Sequence, residues 1–249
     1  MYTKQEIDKI LTRFKKNDVF TYAFITACYT GLRTGEVFAL TWDDIDFVNK
    51  TINVKHNVYA KNKDDKGKWF IGDTKTETGE RQVYICDTLL KALKNYKKKQ
   101  NINKKKYKKE YYSYCLEEVK NKYGKIIEYR IIEVKGNRRL ANKINLIFTN
   151  KYGKYSGTES IRYQFKIIHN EIGLKNCRFY DLRGTYATKI LRSGVEIRDV
   201  ADLLGHSKIE TTENYYISST KETRKEASRI LEEQIQSDII NKLVDSIFN

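Results

Sequence analysis

Apolar residues recur at helical spacing over much of the chain. Thr3 and Glu6 form a capping-box pair, and the apolar positions after them predict a helix that ends near Phe14. The same period predicts further helices over 19–30, 33–40, from Thr88 onward under the cap of Asp87, and over 161–172, 181–191, 197–204 and 209–216. Glycines at positions 31, 194 and 205 interrupt or end three of these helices.

Alternation of apolar and polar residues replaces the helical period in the first half of the chain. Strands are predicted over 45–56, 68–71 and 82–85, with added strands over 126–134 and 144–148. The segment 72–79 is rich in turn-forming residues and joins the second strand to the third. We therefore predict a fold that is mainly α with a small antiparallel β-sheet, in the α+β class.

The chain is predicted to form one domain over residues 1–219, followed by a helical tail over 220–249. A capping-box pair at Ser219 and Glu222 opens this tail, and an apolar stripe follows it. Residues 91–110 contain ten lysines, and we treat about 97–143 as a basic insertion in the domain.

The net charge changes the picture of what the protein binds. The 249 residues carry a formal charge of +16, which favours a polyanionic partner, with a lysine-rich solvated surface as the alternative. No apolar run is long enough to span a membrane and no export signal opens the chain, so we expect a cytoplasmic protein. The four cysteines lie far apart and contain no Cys-x-x-Cys pair, so we expect free thiols and no zinc site.

Two segments place an arginine among apolar helix positions. Arg33 follows Gly31 and Leu32 at the start of a short helix, where a guanidinium and a helix N-terminus together suit a phosphate. An ion pair with Glu36 is the plain structural alternative. Tyr180 and Arg183 lie three residues apart and are expected to share a helix face.

A third segment joins a histidine to two tyrosines. His206 follows Gly205, and Tyr215 and Tyr216 end the next predicted helix nine and ten residues later. Each of these residues alone is more often structural than catalytic. His56 and His169 lack such surroundings, and we assign both a structural role.

Taken in order, these motifs form a rare conjunction. An arginine in Gly-Leu-Arg-x-x-Glu, then Tyr-x-x-Arg, then Leu-Gly-His, then a tyrosine resembles the catalytic domain of the tyrosine recombinases, specifically the integrases of phages and mobile elements of low-GC bacteria. The resemblance implies that fold, and a site-specific DNA recombinase that cleaves and rejoins DNA through a 3′-phosphotyrosine. No metal ion or other cofactor is required for that reaction.

The resemblance assigns roles to individual residues. Tyr180 stands where the family usually has His or Lys, and Tyr215 is the alternative nucleophile to Tyr216. A tyrosine at position 180 still donates a hydrogen bond but carries no positive charge near pH 7. The implied catalytic residues are Arg33 with its neighbour Glu36, Lys75, Tyr180, Arg183, His206 and the nucleophile Tyr216.

The resemblance also implies partners. These are double-stranded DNA at attachment or core sites, further copies of the chain, and an accessory directionality factor. The copies are expected to assemble as a dimer to tetramer through the tail over 220–249, and docking of the tail on its own domain is the alternative. The family's N-terminal core-binding domain is expected to be absent, because the capping box at Thr3 already opens the catalytic domain.

Three other functions compete with recombination. The two helices around Gly205 also suit a helix-turn-helix transcription regulator. Arg33 and Lys75 count against it, since a regulator has no need for them. A type IB-like topoisomerase shares the tyrosine chemistry, and a non-catalytic DNA-binding relative remains open because of Tyr180.

Overall fold

A computed structural model describes residues 1–60, 69–73, 80–136 and 141–216. The helices span Lys4–Phe14 (α1), Asp18–Thr30 (α2), Thr34–Ala39 (α3), Asp87–Tyr107 (α4), Arg162–Ile167 (α5), Asp181–Arg192 (α6), Ile197–Leu204 (α7) and Glu210–Tyr216 (α8). The strands span Ile45–Asp46 (β1), Thr51–Val54 (β2), His56–Tyr59 (β3), Trp69–Asp73 (β4), Arg81–Tyr84 (β5), Tyr112–Lys120 (β6), Ile126–Lys135 (β7) and Lys143–Ile144 (β8). The predicted tail over 220–249 lies outside the described residues.

The first helix is fixed by its cap. Thr3 accepts a hydrogen bond from the backbone N–H of Glu6 at 3.2 Å, and the Glu6 carboxylate accepts the Thr3 N–H at 2.7 Å. This reciprocal pair satisfies two N–H groups that a helix start leaves unpaired. The helix then buries Ile10 and Phe14, so the predicted helix with its cap is confirmed.

The core is built around α2, which is apolar on most of its surface. It contacts α1, α3, α4 and α6, and its Phe20 and Phe24 are almost fully buried. The Phe24 ring meets Phe179, just before α6, edge to face at 6.4 Å between centroids. Burial of each such ring contributes roughly 1.5–3 kcal/mol, so α2 is the main support of the helices around it.

The strands form two antiparallel sheets, and the prediction of one small sheet is wrong in this respect. The orders are β1-β2-β5 and β3-β4-β7-β6-β8. The single strand predicted over 45–56 is three strands. Asp46 accepts the N–H groups of Val48 and Asn49 at 2.8 and 2.9 Å, and Lys50 takes a left-handed φ of 55°, so the chain turns back before β2.

Strands β4 and β5, which the turn-rich segment connects, lie in different sheets. β4 pairs with β3 and β7, whereas β5 pairs with β2. The pairing of Val54 with Arg81 places the first residue of β5 at the end of β2.

The lysine-rich start of the range 97–143, which is predicted as an insertion, forms the second half of α4. Cys86 occupies the N-cap of this helix, so the prediction that Asp87 caps it is wrong by one residue. Trp42 donates to the Gln100 side chain at 2.5 Å, and Lys97 lies 5.3 Å over the Trp42 ring, while other lysines of the helix point into solvent. The hairpin β6–β7 also lies within the range 97–143 and forms part of the larger sheet.

The C-terminal helices lie close to their predicted bounds. α6, α7 and α8 appear as expected, and Gly194 and Gly205 adopt left-handed φ values of 88° and 66° after α6 and α7. The helix predicted over 161–172 instead changes winding, from α5 to a π-turn over Ile168–Ile172. Among the described helices, none is both long and apolar enough to cross a bilayer.

We predict that Gly35→Ala destabilises the domain by about 1–3 kcal/mol through overpacking. Gly35 lies in α3 against β3, and a Cβ there would stand 2.0 Å from the Asn57 amide oxygen and 2.8 Å from the Val58 carbonyl. Urea unfolding measures the effect. Gly72→Ala is the matched control, because its nearest neighbour, Tyr59, stands at an ordinary 3.5 Å. Equal stability of the two variants would contradict the prediction.

Candidate active site

The turn between α2 and α3 begins the site. Gly31 ends α2 with a left-handed φ of 64°, and a Cβ there would stand 2.5 Å from the Tyr186 ring. Glycine therefore serves both the backbone conformation and the close approach of α6. The Gly31 carbonyl points toward α6, where it accepts a hydrogen bond from Arg183 at 3.0 Å.

Arg33 lies at the N-cap of α3 with its side chain 38% exposed. Its backbone N–H and its Nη1 both donate to the carboxylate of Glu36, each at 2.8 Å. Its Nη2 donates to the carbonyl of Gly205 at 3.0 Å. The ion pair with Glu36 thus exists, and it also orients the guanidinium toward the loop after α7.

Arg183 is deeply buried, at 1% exposure. Its Nη1 and Nη2 donate to the carbonyls of Gly31 and Leu204 at 3.0 and 2.6 Å. Its Nε has no hydrogen-bond partner among the described residues. Burial, with the nearby charge of Arg33, lowers the pKa of Arg183 to about 10, so the group stays positive near pH 7.

Glu36 is 1% exposed and is held by a second arginine, Arg81 of β5. Arg81 donates from Nη1 and Nη2 to the two carboxylate oxygens at 3.2 and 2.9 Å, and from Nε to the Leu203 carbonyl at 2.8 Å. Burial alone would raise the pKa of Glu36. The hydrogen bonds and charges of Arg81 and Arg33 outweigh burial and hold this pKa at about 2.

Arg81 is the member of the cluster that the sequence analysis missed. A signal for it exists in β5, where Arg81 and Val83 share one strand face by their spacing of two. Val83 is fully buried, so a charged residue on the same face is expected to be buried with a partner. The alternation of buried and exposed residues in β5 therefore indicates that Arg81 is a buried, paired arginine.

His206 follows the end of α7 and is 8% exposed. Its Nδ1 lies 2.8 Å from the hydroxyl of Thr212, a fully buried residue of α8. Burial, together with the charges of Arg183 and Arg33, lowers the pKa of His206 to about 4. The imidazole is therefore neutral near pH 7, and its contact with Thr212 anchors α8.

The other residues that the sequence indicated are exposed, lie away from the arginine cluster or lie outside the described part of the chain. Tyr180 is the N-cap residue of α6 and is 45% exposed, whereas Arg183, three residues later, is buried. Tyr215 and Tyr216 form the last residues of α8, and their side chains lie outside the described part. Lys75 also lies outside the described residues. The Nε2 of His169, which is predicted to be structural, lies 2.7 Å from the Cys177 carbonyl.

The joined side chains form a cationic cluster. The guanidinium groups of Arg33 and Arg81 both bind the carboxylate of Glu36. Arg183 lies beside them and donates to the carbonyl of Leu204 at the end of α7. A partly exposed guanidinium beside a buried one with an unpartnered Nε suits an anion with several oxygen acceptors, such as a phosphate. Within the described ranges, no three His, Cys, Asp or Glu side chains gather as a metal site.

Comparison with known proteins agrees with this arrangement. Residues 1–223 match the model of the phage integrase family, and the chain belongs to this family. A tyrosine recombinase XerC-like protein of Caldanaerobacter subterraneus subsp. tengcongensis is 30% identical over 86% of this chain and 49% of its own length. The transposase from transposon Tn916 of Enterococcus faecalis is 26% identical over 88% of this chain and 47% of its own length. The chain thus spans about half the length of these curated relatives.

Solved structures support the fold. The Tn1549 transposon integrase, in complex with transposon right end DNA, superposes with a TM-score of 0.63 at 19% identity, over 92% of this chain and 65% of that one. The XerA recombinase superposes with a TM-score of 0.57 at 18% identity, over 95% of this chain and 65% of that one. The predicted α+β class and the tyrosine recombinase catalytic-domain fold are confirmed.

We predict that His206 makes the stability of the domain depend on pH between about 4 and 6.5. Because the folded pKa of about 4 lies below the ordinary value near 6.5, the unfolded chain binds more protons in this window. Stability therefore falls as the pH falls through the window, by about 1–3 kcal/mol. Glu36, with its pKa near 2, loses its contribution only at lower pH, from about 4.5 downward.

Urea unfolding at a series of pH values measures this dependence. His206→Asn is expected to flatten the slope between pH 4 and 6.5. His169→Asn, which lies outside the cluster, is expected to keep it. An identical slope in all three proteins would show that His206 does not titrate as predicted.

Proposed function

We propose that the chain carries the catalytic domain of a site-specific DNA recombinase of a mobile element, which cleaves and rejoins DNA through a 3′-phosphotyrosine. One observation carries the proposal: Arg33 and Arg183 are held on the adjacent carbonyls of Gly205 and Leu204, beside a neutral His206. The helix that ends in the candidate nucleophile follows this row and is tied to His206 through Thr212.

A DNA phosphodiester requires this kind of site because its full negative charge repels a nucleophile. Arg33 and Arg183 offer planar N–H donors to the two non-bridging oxygens, in a place where most of the surrounding water is already excluded. The donors are held by backbone carbonyls before the substrate arrives, so little reorganisation is needed as charge develops in the transition state.

The attack is assigned to Tyr216, with Tyr215 as the alternative. The tyrosine oxygen bonds to phosphorus as the bond from phosphorus to the 5′ oxygen breaks. The tyrosine releases its proton to solvent water, and Lys75 gives a proton to the departing 5′ oxygen. The phosphotyrosine keeps the phosphodiester bond energy, so a 5′ hydroxyl of a second duplex reverses the step, without a metal ion or another cofactor.

His206 and Tyr180 complete the proposed set of donors. If the Thr212 hydroxyl donates to Nδ1, the neutral His206 ring carries its proton on Nε2 and donates from there to a phosphate oxygen. Tyr180 stands at the exposed edge of the site and donates a hydrogen bond without adding charge. The site then relies on its arginines for positive charge.

Double-stranded DNA is the proposed partner, and the charge of the chain supports it. The formal charge of +16 includes solvent-exposed lysines along the outer face of α4. Each phosphate that such a lysine neutralises releases counterions and adds affinity that does not depend on base sequence. Self-association through the tail and an accessory directionality factor are further proposals that rest on the resemblance alone.

A helix-turn-helix regulator explains fewer of the observations. In such a protein the second helix of the pair reads bases, and no cluster of buried arginines is needed behind it. Here the end of α7 is bonded to arginines from three other elements. A topoisomerase of the type IB kind and a non-catalytic relative are separated from a recombinase by the products formed on DNA.

A nicked suicide substrate taken from an end of the element tests the proposal. Cleavage releases a short strand and traps a covalent adduct, which survives a denaturing gel and whose peptide carries Tyr216. Tyr216→Phe is expected to form no adduct, and Tyr215→Phe is expected to keep it. Absence of any adduct would favour a regulator or a non-catalytic relative, and relaxation of a plasmid without an attachment site would favour a topoisomerase.

We predict that Arg183→Lys slows cleavage by at least 100-fold while DNA binding changes little. Lysine keeps the charge but cannot bridge the carbonyls of Gly31 and Leu204 while also facing a phosphate. Single-turnover cleavage and a mobility shift measure the two effects, with circular dichroism as the check on folding. Equal loss of cleavage and binding in a folded variant would assign Arg183 to binding.

A further inference from the structure

Three consecutive backbone carbonyls at the end of α7 each accept a hydrogen bond from a different arginine. The arginines come from β5, from α6 and from the start of α3, so three separate elements meet at one helix end. The carbonyl end of a helix carries partial negative charge, which favours cations there. The pairs are Arg81 Nε with Leu203 at 2.8 Å, Arg183 Nη2 with Leu204 at 2.6 Å, and Arg33 Nη2 with Gly205 at 3.0 Å.

Arg81 differs from the other two arginines in having all its nitrogens engaged. Nε donates to Leu203, and Nη1 and Nη2 donate to the two oxygens of Glu36. Its side chain is only 7% exposed, against 38% for Arg33. Arg81 therefore directs its three nitrogens at acceptors within the protein and is largely shielded from solvent.

We propose that Arg81 is a positioning residue for strand cleavage, which sets Arg33 and the loop of His206 in place without contacting the phosphate. This inference rests on the proposed function. Its physical basis is the shape of the guanidinium. The forked end grips Glu36 while Nε reaches a carbonyl of another element, and a lysine ammonium cannot reproduce both contacts in fixed directions.

The effect of Arg81 reaches Arg33 through Glu36. The backbone N–H and Nη1 of Arg33 both depend on the Glu36 carboxylate, which is buried between the two arginines. If Arg81 is lost, one arginine remains to neutralise a buried charge, and the carboxylate is free to shift or to take a proton. Either change alters where the Arg33 guanidinium points.

The effect of Arg81 reaches His206 through the backbone. Leu203 is three residues before His206, and the intervening carbonyls hold Arg183 and Arg33. Loss of the Arg81 contact removes the first of three fixed points on this short stretch. The His206 ring and the anchor of α8 at Thr212 lie directly beyond it.

The test compares Arg81→Lys with Arg13→Lys in single-turnover cleavage of the suicide substrate. Arg13 also forms an arginine–glutamate pair, with Glu171 at 2.8 Å, but joins α1 to the π-turn away from the cluster. Arg81→Lys is expected to cleave at least tenfold more slowly, with the DNA dissociation constant within twofold of wild type. Arg13→Lys is expected to match wild type in both measurements.

A pH series separates positioning from a general loss of stability. Glu36 is faced by Arg33 on its own helix, Arg81 of β5, Arg183 of α6 and His206 after α7. In Arg81→Gln one counter-charge is gone and burial favours the protonated carboxyl, so Glu36 takes up a proton at a higher pH. The cleavage rate of this variant relative to wild type is expected to fall as the pH is lowered from 7.5 to 5.5.

A double variant keeps the test decisive if the single variants fold poorly. Arg81→Gln combined with Glu36→Gln replaces the buried ion pair by two amides and leaves no unpaired charge. It is expected to fold with a cooperative transition and still to cleave at least tenfold more slowly. Unfolding of all the Arg81 variants would assign Arg81 to stability alone and would overturn the proposal.

The remaining outcomes are distinct. Cleavage by folded Arg81→Lys at the wild-type rate overturns the positioning role and leaves the proposed function intact. A constant rate ratio across the pH series also overturns it. A wild-type protein that forms no adduct overturns the proposed function itself.

Discussion

The buried carboxylate of Glu36 is the constraint on which the site depends. A carboxylate at 1% exposure is tolerated only where cations and hydrogen bonds replace its water, and here two arginines and a backbone N–H do so. This requirement brings β5 against α3 and fixes the start of α3. The guanidinium of Arg33 is held as a consequence, and the outer side of the cluster keeps its positive charge.

The ends of two helices, each followed by a glycine, hold Arg183 in the site. Gly31 and Gly205 both take left-handed φ values at the ends of α2 and α7, and Arg183 donates to the carbonyl of Gly31 itself and to that of Leu204, the last residue of α7. The arginine is therefore buried against two helix ends rather than against acidic side chains. Carbonyl dipoles stabilise its charge less completely than a carboxylate does, which leaves the group attracted to an incoming anion.

The sequence predicts the helical part of this fold well because its boundaries carry local chemistry. The Thr3 cap and the left-handed glycines act within a few residues, so they are visible without tertiary information. The boundaries and pairing of the strands are harder to predict from the sequence. Residues 45–56 read as one strand, but a turn in which Asp46 accepts two backbone N–H groups and Lys50 takes a left-handed φ separates β1 from β2. The splitting of β4 and β5 between two sheets is decided by long-range pairing that no local pattern encodes.

The same distinction applies to the site. The order of motifs indicated Arg33, Arg183 and His206, and the structure brings these three together. The order of motifs did not indicate Arg81, because its partners Glu36 and Leu203 are 45 and 122 residues away in sequence. The spacing of Tyr180 and Arg183 does not predict their different burial. Tyr180 precedes the first residue of α6 as its N-cap and is exposed, whereas Arg183 lies within the first turn and is buried.

The pairing of β4 with β7 has a consequence for how the chain tolerates changes in length. Ile71, near the end of β4, is registered with Tyr129, and Lys75 follows two residues after the end of this strand in the sequence. Extra residues at the hairpin tip, around Gly124, leave that register untouched. A single residue inserted between Ile126 and Tyr129 would turn the following side chains of β7 to the opposite face and pull Glu128 away from Tyr59. The hairpin is thus free to lengthen at its tip around Gly124, but not within β7, where residues 129–131 pair with the strand that precedes Lys75.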